Sequence, residues 1–180
     1  MGTQIIVLNG GSSSGKSTIA RCLQRRLATP WLVMGVDDLI AAMPEQGITD
    51  GSLLRFGESG QVEIGPEWRR LEAAWYAGLS AMAASGVGVI LDEVFLGGAE
   101  SQKRMRAFLG GLEVLWVGVL CPGQLAAARE ILRPERVTGM AESQALIVHK
   151  GVDYDVTVDT SDSTPEECAE TIISSLSGVA

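Results

Sequence analysis

Gly10-Gly11-Ser12-Ser13-Ser14-Gly15-Lys16-Ser17 spells Gly, four residues, then Gly-Lys-Ser. This spacing suits a loop that cradles phosphate, because its glycines reach backbone angles closed to other residues and let successive N–H groups turn inward onto phosphate oxygens. Lys16 is expected to reach the β- and γ-phosphates, and the Ser17 hydroxyl to bind a magnesium ion. A helix starting at this point adds the positive end of its dipole. The whole stretch, Gly10, Gly11, Ser12, Ser13, Ser14, Gly15, Lys16 and Ser17, is the expected binding site for ATP.

Phosphoryl transfer further requires a metal-holding carboxylate, a group to orient the acceptor hydroxyl and cations for the charge that develops. Asp92 follows the apolar run Val87 to Leu91 and suits the magnesium position. Asp37 follows a second apolar run, where it can accept the acceptor's hydroxyl hydrogen bond and take its proton; Asp38 beside it suits helix capping or support of the site from behind. Arg133 and Arg136 suit a lid that closes over the nucleotide and excludes water, with Arg129 either joining them or lying on a basic face balanced by Glu130 and Glu135. Glu93, next to Asp92, keeps a water-activating, hydrolytic role open, and His149, the one histidine, reads as structural or surface-lying, with ligand orientation the alternative.

The elements around these residues alternate. Gln4 to Asn9, Trp31 to Val36, Val87 to Leu91, Val114 to Leu120 and Tyr154 to Val158 are five apolar strands. Between them lie helical stretches at 17–27, 39–43, 66–86, 99–109, 122–132 and 140–148, and Thr164-Pro165-Glu166-Glu167 caps a last one. Trp68, Leu71, Trp75, Leu79 and Met82 mark the apolar stripe of the third helix, facing the sheet or the acceptor pocket. Residues 45–65 read as a surface excursion with a small hairpin at 53–56 and 62–64. Continuous apolar strands alternating with helices predict an α/β, three-layer P-loop NTPase fold: a five-stranded parallel sheet covered on both faces, nucleotide-kinase-like, in one domain spanning 1–180 with a lid near 126–140. Ligands in such sheets bind at the carboxyl ends of the strands, which selects Gly10 to Ser17, Asp37-Asp38, Asp92-Glu93, Cys121-Pro122 and Asp159-Thr160.

Bulk composition narrows the partners. With 46% hydrophobic residues, 180 residues can bury a full core. A net charge of −8 argues against a nucleic-acid partner and for a small-molecule acceptor. Cys22, Cys121 and Cys168 have no metal-ligand spacing and suit buried reduced thiols of a cytoplasmic protein, and no apolar run is long enough for a membrane span. Oligomeric state is left open. Val33, Met34, Leu53, Phe56 and Phe95 are available to line an apolar acceptor pocket and equally available for the core, and Trp68 or Trp75 suits part of that pocket's lining.

Several stretches together resemble the chloramphenicol 3-O-phosphotransferases of antibiotic-producing actinomycetes: residues 6–17, Pro30-Trp31-Leu32 through Asp37, Ile64-Gly65-Pro66-Glu67, residues 92–98, residues 114–119, Val148-His149, Tyr154-Asp155 and Val158-Asp159-Thr160. The resemblance implies transfer of the γ-phosphate of ATP to the primary hydroxyl of chloramphenicol, which inactivates the antibiotic. It further implies Asp37 as base and phosphate contacts from Arg133 and Arg136. Ser14 stands where that family's loop is expected to carry alanine, and residues 45–61 depart from its pattern. A kinase of another small hydroxylated metabolite or nucleoside would carry the same phosphate loop, and an ATP-dependent switch or ATPase is the alternative from another class.

Overall fold

The computed structural model describes residues 2–57, 61–132 and 139–176. In chain order, β1 (Ile5–Asn9) leads through the glycine-rich loop into α1 (Lys16–Arg26), and β2 (Trp31–Gly35) is followed by α2 (Val36–Ala41), α3 (Glu45–Thr49), β3 (Leu54–Phe56) and β4 (Val62–Ile64). Next come α4 (Trp68–Ala84), β5 (Gly88–Glu93), α5 (Ala99–Phe108), β6 (Val114–Leu120), α6 (Gly123–Ile131), α7 (Met140–Ile147), β7 (Val156–Asp159) and α8 (Pro165–Ser174).

Five strands form one parallel sheet in the order β2-β5-β1-β6-β7, and β3 pairs with β4 as a separate antiparallel hairpin. The expected five-stranded α/β layering is present. Because β1 is central, its Ile5, Ile6, Val7 and Leu8 all lie at 0% exposure and alternate between the two faces. Ile6 and Leu8 pack with Ile19 and Leu23 of α1 and with Cys168 and Ile172 of α8. Ile5 and Val7 pack with Tyr76 and Leu79 of α4 and Met105 of α5. β1 therefore delivers the glycine-rich loop from the best-buried strand, at the sheet edge where neighbouring connections leave to opposite sides. At the other end of the chain, Thr164 and Glu167 exchange the two bonds of a capping box at the start of α8, with Pro165 in its first turn.

Three local expectations change. The helix after β2 begins at Val36, not Leu39, because Gly35 is extended and its N–H is taken by Asp38 Oδ2 at 2.8 Å. The excursion at 45–65 holds a short helix, α3, as well as the hairpin, and is not a bare surface loop: Leu53 and Leu54 pack with Leu39, Met43 and Trp68 in a small core of their own. The buried face of α4 runs through Trp68, Glu72, Tyr76, Leu79 and Ala83, one position round from the expected stripe, so Leu71, Trp75 and Met82 sit on its flank. Among the described residues, no helix is long and apolar enough to cross a membrane, and Cys22, Cys121 and Cys168 are buried free thiols.

Candidate active site

The glycine-rich loop leaves β1 with Ser13 at φ +57° and Gly15 at φ +96°. A left-handed turn at Gly15 would strain any other residue type, and it aims the start of α1 at the loop's concave side. Contacts from outside the motif hold the loop, among them Ser12 N–H donating to Gln144 Oε1 of α7 at 2.9 Å and Thr160 Oγ1 donating to the Ser14 carbonyl at 2.9 Å. Among the described residues, the N–H groups of Ser13, Gly15, Lys16 and Ser17 have no hydrogen-bond partner. They form a ready set of donors for a polyphosphate.

Lys16, 6% exposed, lies back across its own loop, with Nζ donating to the Gly11 carbonyl at 2.9 Å and standing 3.6 Å from Asp92 Oδ1. Ser17 Oγ donates to Asp92 Oδ2 at 2.6 Å. A serine oxygen beside a carboxylate is a hard-oxygen donor set that fits magnesium, which keeps several ligands for water and phosphate. No cluster of three or more His, Cys, Asp or Glu side chains suited to a metal occurs among the described residues, so a cation here would draw its other ligands from the nucleotide and water.

Gly35 pairs with Asp92 in the β2–β5 register, which brings Asp37, in the first turn of α2, to the same sheet edge. Asp37 is exposed and lines the same cavity as Lys16, Ser17 and Asp92; Asp38 is committed to capping. Glu93 also borders the cavity but is only 3% exposed, and burial, with Asp92 alongside, pushes its carboxyl up to about 8.

The cavity has a volume of about 540 Å³ and extends from the phosphate loop past Asp37 to an aromatic and apolar wall. Trp68, Trp75 and Tyr76 of α4 supply much of that wall, with Met34 of β2, Ile64 of β4 and Phe95 after β5. Of the residues available for the pocket or the core, Val33, Met34, Phe95, Trp68 and Trp75 line the cavity and Leu53 lies in the small core; the Phe56 side chain lies outside the described residues. Three polar side chains that the sequence did not single out interrupt the wall: Arg69, Glu72 and Arg104. Cys121, Pro122 and Asp159 line a smaller separate hollow with His149, not this cavity.

Behind the loop, Asn9 ties three elements together. Its Nδ2 donates to the Val148 carbonyl at 2.8 Å and to Tyr154 Oη at 2.6 Å, and its Oδ1 accepts the Phe95 N–H at 2.9 Å. Tyr154 Oη also lies 2.6 Å from His149 Nδ1. Burial, and to a lesser degree nearby Lys16, holds His149 below its ordinary value, and burial raises the Tyr154 phenol to about 12, so the pair stays neutral at pH 7. Arg129 donates to Thr160 Oγ1 at 3.0 Å and to the Thr160 carbonyl at 2.8 Å, which secures the end of β7 beside the phosphate loop. Glu130, expected to balance a basic face, is instead buried and bonds the N–H groups of Gly139 and Ala141 at the start of α7. Arg133, Glu135 and Arg136, with the rest of 133–138 in the expected lid, lie outside the described residues.

A family model described as chloramphenicol phosphotransferase-like protein matches residues 3–177. A protein of Mycobacterium tuberculosis H37Rv named "Putative O-phosphotransferase" is 30% identical over 178 residues, covering 92% of this chain and 79% of its own. Among solved structures, an unliganded sugar kinase from Janibacter superposes with a TM-score of 0.70 at 19% identity, covering 96% of this chain and 93% of its own. The tunicamycin resistance protein of Deinococcus radiodurans gives 0.64 at 20% identity, with 96% and 94% covered. The APS kinase of Mycobacterium tuberculosis, in complex with AMPPNP and APS, gives 0.62 at 18% identity, with 97% of each chain covered. At these identities the three structures establish the shared fold.

Proposed function

Because this chain belongs to the chloramphenicol phosphotransferase-like family, we propose that it moves the γ-phosphoryl group of ATP to the primary hydroxyl of chloramphenicol or of a closely similar aromatic alcohol, and so inactivates it. Family and fold make it a P-loop kinase of a small molecule; the acceptor, magnesium, the residue roles, one catalytic unit over 1–180 and a cytoplasmic setting are the proposal. The observation that carries it is the single cavity in which the phosphate loop, the Ser17–Asp92 pair, Asp37 and an aromatic wall follow one another.

The unpartnered loop N–H groups would hold the β- and γ-phosphate oxygens, with Lys16 shifting from the Gly11 carbonyl to the γ-phosphate as negative charge spreads over it. Ser17 and Asp92 would hold magnesium, which when bound neutralises phosphate charge. Asp37 accepts the hydrogen bond of the acceptor hydroxyl, orients its oxygen at phosphorus and takes the proton as the new O–P bond forms and the bond to ADP breaks. The aromatic wall fixes the rest of the acceptor and excludes water, which favours transfer over hydrolysis. An ATPase or switch has no use for that wall.

The test is transfer itself. Purified protein, γ-labelled ATP, magnesium and chloramphenicol are incubated and separated by chromatography; label on the primary hydroxyl is the expected result. Bound ATP with no label on the antibiotic would overturn chloramphenicol as acceptor.

A further inference from the structure

Arg69, Glu72 and Arg104 meet in the cavity wall, Arg69 and Glu72 from α4 and Arg104 from α5. Glu72, 8% exposed, is saturated: it accepts from Trp68 Nε1 at 3.2 Å, from Arg69 Nη1 at 2.9 and 2.8 Å on its two oxygens, and from Arg104 Nε at 3.2 Å. Arg104 is spent in the same way, its Nη1 on the Glu100 carbonyl and its Nη2 on Ser101 Oγ, both at 3.1 Å. Two guanidinium groups against one carboxylate leave one net positive charge.

Arg69 is different. Both of its bonds run through Nη1, so Nε and Nη2 have no partner among the described residues. Those two nitrogens form the side edge of a guanidinium, whose parallel N–H bonds match a planar group bearing two oxygens. Glu72 holds the guanidinium in place, which lowers the entropy lost when that edge engages a ligand.

We propose that the side edge of Arg69 anchors a planar two-oxygen group, nitro or carboxylate, that the acceptor carries in addition to its reacting hydroxyl. The proposal rests on this cavity being the acceptor site. It makes Arg69 a specificity-determining residue, with Glu72 and Arg104 positioning it. A hydroxylated substrate without such a group would leave the edge facing solvent and bind through the aromatic wall alone.

The test needs no phosphoryl transfer, so it is independent of whether chloramphenicol is phosphorylated. Labelled full-length protein, saturated with a non-hydrolysable ATP analogue, is titrated with 4-nitrobenzyl alcohol, 4-(hydroxymethyl)benzoate and benzyl alcohol. Binding is followed by NMR at the Arg69 Nε–H resonance, assigned by its loss in Arg69→Met, and at the tryptophan indole resonances. At least one oxygen-bearing probe should shift the Arg69 resonance saturably and bind about 10-fold or more tighter than benzyl alcohol, and the tighter of the two identifies the group. In Arg69→Met the three probes should bind within about twofold of one another, and Arg69→Lys, which keeps the charge but lacks the two-point edge, should fall between. Equal binding of benzyl alcohol in the wild type, a preference that survives Arg69→Met, or an Arg69 resonance that no probe moves would each overturn the proposal.

Discussion

Glu130 has no place in the phosphate-loop motif, yet it decides how α7 begins. The residue at the N-cap of α7 is Gly139, which has no side chain to cap with. Glu130, on α6 and 5% exposed, supplies the missing cap from outside: Oε2 accepts the Gly139 N–H and Oε1 the Ala141 N–H, both at 2.8 Å. Replacing it with alanine strands both donors. Ala141 is fully buried, so water cannot replace its bond, which costs about 2 kcal/mol; Gly139 is half-buried and its loss costs about 1 kcal/mol. For a chain of this size, a loss of about 3 kcal/mol lowers the melting temperature by roughly 6–12 °C. Glu130→Gln keeps one acceptor oxygen and should show about half that drop. Since α7 carries Gln144, whose Oε1 holds the Ser12 N–H, ATP affinity should fall several-fold alongside. Thermal melts followed by circular dichroism, with ATP titrations by calorimetry, check both. A Glu130→Ala protein that melts within 2 °C of wild type, by the scale that converts about 1 kcal/mol to ~2–4 °C, and binds ATP equally well would refute this reasoning.

Gly35 and His149 yield two further predictions. A β-carbon at position 35 would lie 2.3 Å from the Asp92 carbonyl oxygen on the neighbouring strand. Gly35→Ala should therefore push β2 from β5, cost about 1–3 kcal/mol in a urea titration and raise the magnesium concentration needed for half-maximal transfer; unchanged values for both would contradict the packing argument. His149 is held below its ordinary value of 6.5 chiefly by burial. The unfolded chain thus takes up this proton at higher pH than the folded one, and stability, full above about 6.5, should decline as pH falls below it. Melts between pH 5 and 8 should show this decline flattened in His149→Gln; an identical slope in the variant would assign the pH dependence to other groups.

Much of the site is legible in the sequence because it is carried by contiguous residues. The run from Ile5 to Ser17 contains strand, loop and helix start in one stretch, and Asp92 ends an apolar run whose register with β1 follows from a parallel sheet. Elements whose signal is shorter than a period escape. α3 spans one turn, too little for periodicity, and is held by Leu53 packing on Gly47, a contact no local pattern announces. The start of α2 was obscured because Val36 continues the apolar run of β2, while the cap that ends the strand comes from Asp38 three residues on.

Buried polar residues are the larger omission. Glu72, Arg104, Glu130 and Gln144 look like the solvent side of amphipathic helices, and each has at least one partner on another element, as far as 132 positions away for Gln144 and Ser12. A signal did exist for Glu72: it falls four residues after Trp68 and seven before Leu79, within the stripe that faces the core. A carboxylate at such a position requires a cationic partner, and Arg69 and Arg104 provide it.

The central claim, that Asp37 works on the acceptor and the phosphate loop on ATP within one cavity, is tested most directly by Asp37→Asn. Single-turnover transfer from γ-labelled ATP is measured with the acceptor saturating, and ATP affinity is measured separately by calorimetry. Loss of a general base should slow transfer by about 10²- to 10⁴-fold while ATP affinity stays within about threefold of wild type. Transfer at the full wild-type rate in Asp37→Asn would contradict the account, because the group said to take the acceptor's proton would then be dispensable.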